Sequence, residues 1–284
     1  MTILLKPFEL LWRAVNRMQR VLYRRGILRS KRLPRPVVSV GNLAAGGAGK
    51  TPAVITIARY LAKRGFRVAV LTRGYGRSGN ASGVVTSLDA ARFGDEPVLI
   101  KSKLKTVDVI VGSDRYVNAL RFLDHNDCDV FVLDDGFQHL QLARDVDVVV
   151  GGGGGWMREG RSALAGADFV IQRNLRLAVP EALTSRRLFA FAGLANNEQF
   201  FDSLRAHDLN VVATKRFRDH HRYTAADILT LKEMAREAGA EAIVTTEKDA
   251  VKLDDRDIIP IAAEMIVDPA VLEAIGERIS GSVG

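Results

Sequence analysis

The residues best suited to chemistry lie in a glycine-rich segment that ends in Gly49, Lys50 and Thr51. A valine-rich run over residues 37–40 precedes the segment, and apolar residues at three- and four-residue spacing follow it, which predicts a strand, a loop and a helix. Glycines let backbone N–H groups in such a loop converge on one centre, and the N-terminus of the next helix adds positive potential there. We therefore predict a phosphate-binding loop of six residues: Gly46, Gly47, Ala48, Gly49, Lys50 and Thr51.

This loop assigns a role to each of its last two side chains. Lys50 is expected to reach the β- and γ-phosphates of a nucleotide, and the Thr51 hydroxyl is expected to hold Mg²⁺. The strict pattern G-x-x-x-x-G-K-[ST] is not met, because its first glycine falls on Ala44. The alternative is a glycine-rich turn with an incidental lysine.

An acid pair further along the chain can complete the metal site. The apolar run over residues 130–133 ends in Asp134 and Asp135. A phosphate loop needs a carboxylate for its Mg²⁺, usually at the end of a neighbouring buried strand. We predict Asp134 as a ligand of the metal or of its water, with Asp135 as the second candidate; the alternative is a strand cap in a turn.

The pattern of the whole chain predicts the elements that position these residues. Valine-rich strands alternate with helical segments, which indicates a mostly parallel sheet flanked by helices on both faces. The fold class is therefore α/β, similar to P-loop NTPases, with a smaller α/β second lobe and an N-terminal amphipathic helix. The predicted divisions are 1–36, 37–185 and 186–284. The predicted strands are 37–40, 67–72, 107–111, 130–133, 146–150, 169–172, 188–191, 209–213 and 242–245.

Charge is concentrated at the start of the 284-residue chain, whose net charge is +8. Residues 1–35 hold ten basic residues and one acid, a net +9, so the remaining 249 residues carry −1. The body is therefore not expected to bind nucleic acid. Cys128 is the only cysteine, which excludes an intrachain disulfide and fits a reducing compartment. No stretch has the roughly 18 apolar residues of a membrane-spanning helix.

The basic N-terminal segment has an amphipathic pattern at helical spacing, with Trp12 at the border between its two sides. The apolar side holds Leu4, Phe8, Leu11, Val15, Met18 and Leu22, and the opposite side holds Arg13, Arg17, Arg20 and Arg24. This composition favours a helix lying in a membrane interface, where anionic headgroups attract the arginines. Two alternatives are a first helix packed on the core with solvated arginines and a nucleic-acid-binding arm.

Beyond these motifs, the chain resembles the tetraacyldisaccharide 4′-kinases of lipid A biosynthesis in Gram-negative bacteria. The similarity follows family order over about residues 37–253. The runs that carry it are Val40-Gly41-Asn42-Leu43, Gly49-Lys50-Thr51-Pro52, Leu71-Thr72-Arg73-Gly74-Tyr75-Gly76-Arg77, Gly94-Asp95-Glu96-Pro97, Asp134-Asp135-Gly136-Phe137-Gln138-His139, Phe217-Arg218-Asp219-His220-His221 and Thr245-Thr246-Glu247-Lys248-Asp249-Ala250-Val251-Lys252.

The resemblance implies an activity and a location. Such an enzyme transfers the γ-phosphate of ATP to the 4′-hydroxyl of tetraacyldisaccharide 1-phosphate and forms lipid IVA, with Mg²⁺ as cofactor. Its lipid substrate lies in the cytoplasmic leaflet of the inner membrane, so we expect a peripheral protein at that face. ATP is preferred over GTP because the sequence lacks an Asn-Lys-x-Asp segment. The acyl-chain preference and the oligomeric state are not predicted.

The resemblance also implies catalytic roles. It points to Asp95 as the base that accepts the sugar hydroxyl proton, assisted by a histidine that could orient the carboxylate and tune its pKa. His220 fits the family position better than His221, without a firm separation between them. Lys50 completes the catalytic set. The candidates for contacting phosphates of the substrate or nucleotide are Arg73, Arg77, Arg115 and His139, each of which could instead form a surface ion pair.

Two segments depart from the family pattern. The stretch after residue 150 is shortened to the five glycines 151–155, a predicted loop followed by Arg158 and Glu159 as a remnant, and residues 195–200 replace a Gly-Asn-Pro-Glu-Arg-Phe run. The shortened loop could alter acceptor-lipid binding or lower activity. The alternative functions are a membrane-associated regulatory ATPase, a soluble P-loop ligase or metallochaperone GTPase, and a non-catalytic lipid-binding relative.

Overall fold

A computed structural model of the chain describes residues 6–44, 49–78, 82–152 and 157–283. Its larger sheet has seven strands in the order β3-β4-β2-β5-β1-β6-β7, all parallel except β3, which is antiparallel to β4. The strands are β1 Val37–Gly41, β2 Val68–Thr72, β3 Gly83–Val84, β4 Asp108–Val111, β5 Val130–Asp134, β6 Val146–Gly151 and β7 Phe169–Gln172.

Helices cover both faces of this sheet. The central strands are therefore buried on both faces, which explains why their sequences are rich in valine. All five residues of β1, β2 and β5 are buried. The helices between the strands are α2 Lys50–Lys63, α3 Ala90–Phe93, α4 Asp95–Lys103 and α5 Arg115–Leu123. The apolar side of α2 lies in the main core, where Ile57 and Leu61 are fully buried. The α/β fold class predicted from the sequence is confirmed.

A second, five-stranded sheet forms the smaller lobe, in the order β10-β9-β11-β12-β8, with β8 antiparallel to β12 and the other pairs parallel. The strands are β8 Leu175–Ala178, β9 Leu188–Ala192, β10 Val211–Arg216, β11 Ala242–Thr246 and β12 Ile258–Met265. The lobe's helices are α6 Asn197–Arg205, α7 Ala225–Glu237, the short α8 Glu247–Ala250 and the 3-10 helix Glu181–Leu183. A second 3-10 helix, Arg161–Gly166, lies between β6 and β7 of the larger sheet.

The chain passes between the lobes twice. The predicted division at residue 186 falls between β8 and β9, which belong to the same sheet. After β12 the last helix, α9 Pro269–Val283, returns to the larger lobe, where its buried Ile275 and Ile279 join the core beside α2. The larger core is therefore closed by the end of the chain, which the sequence pattern assigned to the smaller lobe.

The N-terminal segment forms helix α1, Lys6–Arg24. Arg20 is buried against the body, so the expectation that this arginine faces solvent or headgroups is wrong. Trp12 and Met18 are about half exposed, at 50% and 58%. Among the described residues, no helix is both long and apolar enough to cross a bilayer.

The predicted glycine loop is only partly described. Gly151 is the last residue of β6 rather than part of an irregular loop. Residues 153–156 lie outside the described residues, as do Gly46, Gly47 and Ala48 of the phosphate loop.

Candidate active site

The described end of the predicted phosphate loop, Gly49–Thr51, and the acid pair meet at the carboxyl edge of the larger sheet. Strands β1 and β5 are parallel neighbours, and their register places Val40 beside Asp134. Gly49 caps the N-terminus of α2 with a φ of 80°, a left-handed conformation that glycine adopts without steric strain. Helix α2 then begins at Lys50, so its N-terminal dipole points at the acid pair and at any anion bound there.

Lys50 is held by two groups of this edge. Its Nζ lies 3.2 Å from Oδ1 of Asn42 and 3.1 Å from Oδ1 of Asp135. The ammonium is therefore held by residues that follow β1 and β5. The sequence predicted Lys50 and Asp135 here, but not the contribution of Asn42.

Arg158 is the functional side chain that sequence reasoning missed. Its guanidinium donates two hydrogen bonds to the Asp135 carboxylate, at 3.0 and 2.7 Å, and a third to Oδ1 of Asn42, at 2.8 Å. Arg158 and Lys50 thus share the same two partners, and two positive charges face the place where phosphates would bind. The sequence feature that could have pointed to Arg158 is its place in a charged pair with Glu159, a few residues after the five glycines.

The two acids of the pair have opposite electrostatic settings. Asp134 is buried and accepts a hydrogen bond of 2.9 Å from the Thr72 hydroxyl. Burial, together with the negative charges of Glu96 and Asp135, raises the pKa of Asp134 to about 7. A carboxylate in this setting gains from a nearby cation, so Asp134 and the Thr51 hydroxyl fit the oxygen ligands that Mg²⁺ prefers.

Asp135 is ionised, and neighbouring cations already balance its negative charge. Burial alone would raise its pKa, but the hydrogen bonds from Arg158 and the charge of Lys50 outweigh burial and hold the pKa well below its ordinary value. Its backbone adopts a left-handed φ of 52°, which turns the side chain away from the line of β5. Asp135 was predicted as a second metal ligand, whereas the structure engages its carboxylate with Arg158 and Lys50.

A second cluster combines Asp95 with His220. Asp95 is the first residue of α4 in the larger lobe, and His220 lies in the turn between β10 and α7 of the smaller lobe. His220 Nδ1 lies 2.9 Å from Oδ2 of Asp95. Burial pushes the pKa of Asp95 up, but the hydrogen bond to His220 and the charges of Lys248 and Lys252 prevail and lower it. Asp95 is therefore ionised at neutral pH.

Lysines from the smaller lobe surround this pair. Lys248 Nζ lies 3.4 Å from Nε2 of His220 and 3.6 Å from a carboxylate oxygen of Glu96. Lys252 Nζ lies 3.9 Å from Asp95 and 2.8 Å from the fully buried Asp249. The lysines of the Thr-Glu-Lys-Asp-Ala-Val-Lys run thus face the acid–base pair across the boundary between the lobes.

The structure separates the two candidate histidines. His221 Nε2 lies 3.2 Å from Asp227, a residue that also caps the start of α7 through Thr224. His220 alone of the two contacts Asp95, with a left-handed φ of 58° that turns it in this direction.

Three of the four predicted phosphate contacts form one basic cluster. Arg115 is buried, and its pKa is lowered by burial and by the neighbouring charge of Arg73. Burial and the charge of Arg115 also lower the pKa of His139, to about 4, so this imidazole is neutral at physiological pH. Arg77 differs, because its guanidinium is turned back onto the backbone carbonyls of Arg73 and Gly74.

Glu96 connects the two clusters. Its charge raises the pKa of Asp134 on one side, and it pairs with Lys248 on the other. The sheet edge that holds Lys50 and Asp134 can bind an anion and a metal ion. It adjoins the Asp95–His220 pair, which can move a proton. This combination suits phosphoryl transfer from a nucleotide to a hydroxyl group.

Known proteins with this architecture were found by sequence and by structure. A family model described as tetraacyldisaccharide-1-P 4′-kinase matches residues 1–182 and 172–280. A tetraacyldisaccharide 4′-kinase of Pelobacter propionicus is 39% identical over 298 residues, covering 88% of this chain and 82% of the relative. One of Geobacter metallireducens is 38% identical, covering 90% of this chain and 89% of the relative.

A solved structure extends the similarity to three dimensions. LpxK from Aquifex aeolicus, crystallised in complex with ATP, has a TM-score of 0.80 and 28% identity, with 99% of this chain and 98% of that chain covered. Both lobes are included at this coverage. The chain therefore belongs to the tetraacyldisaccharide 4′-kinase family.

Proposed function

We infer that this protein is an ATP-dependent kinase that phosphorylates the 4′-hydroxyl of tetraacyldisaccharide 1-phosphate and forms lipid IVA. Membership of the family supports the substrate class, which is a lipid A precursor. The observation that carries the proposal is the Asp95–His220 pair at 2.9 Å, next to an edge that holds Lys50, Asp134 and Arg158.

ATP binds at the carboxyl edge of the larger sheet. Its β- and γ-phosphates lie at the N-terminus of α2, where Lys50 and Arg158 supply positive charge. The LpxK of Aquifex aeolicus was crystallised with ATP, which supports this nucleotide. Thr51 and Asp134 would hold Mg²⁺, whose chemistry is to neutralise the charge that develops on the phosphates.

The proton of the 4′-hydroxyl passes to the Asp95–His220 pair. The ionised Asp95 accepts the hydrogen bond of His220 Nδ1–H, which fixes the carboxylate and the ring relative to each other, so that Asp95 can accept the proton as the base. The hydroxyl oxygen then forms a bond to the γ-phosphorus, and the bond between that phosphorus and the bridging oxygen breaks. ADP leaves with the electron pair of the broken bond.

The basic cluster of Arg73, Arg115 and His139 binds a phosphate group of the reactants. Arg115 is buried with its Nε lacking a hydrogen-bond partner, so an anion there gains a donor without competition from another acceptor. A neutral His139 can donate or accept a hydrogen bond in the same place.

The exposed side of α1 supports the proposal that the enzyme binds a membrane surface. Met18 lies opposite the buried Arg20 and is exposed, as are Val21 on the same helix and Ile27 and Leu28 beyond it. This apolar surface suits the acyl boundary of the inner membrane on its cytoplasmic face, where the lipid substrate lies. Replacing Met18 and Val21 with glutamate is expected to weaken binding to anionic phospholipid vesicles and to leave nucleotide binding in solution intact.

A ³²P-transfer assay tests the proposed function. The full chain, [γ-³²P]ATP, Mg²⁺ and tetraacyldisaccharide 1-phosphate are incubated in detergent micelles, and label in the lipid is separated from free phosphate. We expect labelled lipid that depends on the acceptor. Release of phosphate without labelled lipid would instead indicate a regulatory ATPase, and no turnover above the blank would indicate a non-catalytic relative.

A further inference from the structure

One buried arginine joins α1 to the body of the enzyme. Nε and Nη2 of Arg20 each donate a hydrogen bond of 2.9 Å to the Glu159 carboxylate, and both side chains are less than 10% exposed. Nη2 also donates to the backbone carbonyl of Phe137 at 3.1 Å, and the guanidinium lies 4.3 Å from the centre of the Phe137 ring. Arg20 therefore touches two separate segments of the larger lobe at once.

A second contact lies one turn earlier on the same face of α1. Asn16 Nδ2 donates a hydrogen bond of 2.8 Å to the backbone carbonyl of Arg158. Residues four apart share a helix face, so Asn16 and Arg20 act on the adjacent residues Arg158 and Glu159 together.

The two segments that α1 holds are those that carry the phosphate-site charges. Phe137 is fully buried two residues after Asp135, and it packs so closely on Gly41 that a Cβ there would lie 2.5 Å from Phe137 Cβ. Arg158 and Glu159 are neighbours whose side chains point to different partners. Arg158 reaches Asp135 and Asn42, whereas Glu159 reaches Arg20.

The backbone joins this segment to Leu43 and Ala44, which precede the phosphate loop in the chain. The carbonyl of Leu43 accepts hydrogen bonds from the N–H groups of Arg158 at 2.7 Å and Glu159 at 3.1 Å, and Ala44 pairs with Met157. A displacement of Glu159 is therefore passed to Arg158 and to Leu43 and Ala44.

We propose that Arg20 and Asn16 are positioning residues of the nucleotide site: docking of α1 on the body holds Arg158 against Asp135 and Asn42, and so couples α1 to the affinity for ATP. The face of α1 opposite Arg20 carries the exposed Met18, so the helix meets the membrane on one side and the nucleotide site on the other. Coupling between two sites is reciprocal, so ATP also stabilises the docked helix. The proposal rests on the proposed function for the identity of the nucleotide.

A matched pair of variants tests this coupling. Arg20→Met and Arg17→Met each remove one positive charge from α1, but Arg17 is exposed, whereas Arg20 is buried against Glu159. The full chain in detergent micelles is titrated with a fluorescent ATP analogue, and KM for ATP, kcat and binding to anionic vesicles are measured in parallel. We expect Arg20→Met to bind the nucleotide about tenfold more weakly than Arg17→Met, within the range of about 5- to 150-fold typical of such coupling.

A double variant covers the case in which the single variant does not fold. Arg20→Met leaves Glu159 as a buried unpaired charge, whereas Arg20→Met with Glu159→Met removes both charges and avoids this penalty. We expect the folded double variant to bind the nucleotide more weakly than Arg17→Met and to have a higher KM for ATP. Its binding to anionic vesicles should equal that of Arg17→Met.

Two outcomes would overturn the proposal: equal nucleotide affinity in the Arg20 and Arg17 variants, or wild-type affinity in the folded double variant. Either result would make α1 an anchor whose contact with the body is only structural. The proposed function fails separately, through absence of labelled lipid in the wild type, and nucleotide affinity would still report the coupling in that case.

Discussion

The phosphate-loop edge and the Asp95–His220 pair are built in different ways. The edge is made within one sheet, where β1 and β5 end side by side and deliver Lys50 and Asp134 to one place. The pair is made across two lobes, with the carboxylate on α4 and the imidazole on a turn 125 residues later in the chain. We therefore expect binding of the phosphate donor to depend mainly on the larger lobe, and proton transfer to depend on the fit of both lobes.

This difference makes the two regions separable by experiment. Damage to the edge is expected to weaken nucleotide binding, whereas damage to the pair is expected to slow the chemical step while nucleotide still binds. Interactions made only in the transition state change kcat, and interactions made throughout change affinity.

The largest effect is expected at the pair. His220→Gln removes the imidazole that takes part in proton transfer, so kcat should fall by about 10²- to 10⁴-fold, with unchanged affinity for a fluorescent ATP analogue. The control is His221→Gln, because His221 contacts Asp227 rather than Asp95. Equal losses in the two variants, measured by ³²P transfer, would contradict the assignment of His220.

The next effect is expected at the edge. Lys50→Met removes the ammonium beside Asp135, and loss of one such charged donor costs about 10²- to 10³-fold in rate. In contrast to the His220 variant, it should also lose most of its affinity for ATP in a direct titration. Lys63→Met, at the exposed far end of the same helix, serves as the control. Intact ATP binding in Lys50→Met would contradict the role of the loop.

Glu96 offers a smaller test of how the regions communicate. Asp134 must be ionised to bind Mg²⁺, and its pKa is raised to about 7, so the Mg²⁺ requirement should increase by about tenfold per pH unit below that value. Glu96→Gln removes a negative charge that raises this pKa, so the midpoint should move to lower pH. The Mg²⁺ concentration for half-maximal turnover, measured across pH, reports the shift. An unchanged midpoint would show that Glu96 does not act on Asp134.

The smallest effect concerns Cys128, which lies just before β5 and is buried. Burial, and then the charge of Asp127, raises the pKa of its thiol to about 12, so at pH 8 only about one molecule in 10⁴ carries the reactive thiolate. We expect no reaction with a thiol reagent in the native protein and full reaction in denaturant. Rapid native labelling would show that the larger lobe opens on its own.

The sequence predicted what lies close in the chain or follows a regular pattern. The valine-rich strands predicted the larger sheet. The glycine loop and the apolar run before Asp134 predicted the site at its carboxyl edge, because parallel strands end at the same side of a sheet. The strand β8 was missed because none of its four residues is buried, and Arg158 was missed because its role depends on contacts with Asp135 and Asn42.

The pair was less accessible from the sequence. A resemblance to a known family pointed to Asp95 and His220, but residue types alone do not bring together two positions in different lobes. The choice between His220 and His221 came from backbone geometry, since the left-handed turn at His220 directs its ring to Asp95. The burial of Arg20 was likewise hidden, because helical spacing places it with arginines that are exposed, such as Arg17.

The most direct test of the account is to locate the transferred phosphate. Labelled lipid from the ³²P assay is treated with mild acid, which removes a glycosidic 1-phosphate but leaves a phosphate ester on the 4′-oxygen. We predict that the label survives this treatment, and that Asp95→Asn forms almost none of it while still binding ATP. Label released by mild acid, or undiminished transfer by Asp95→Asn, would contradict the assignment of 4′-kinase chemistry to this site.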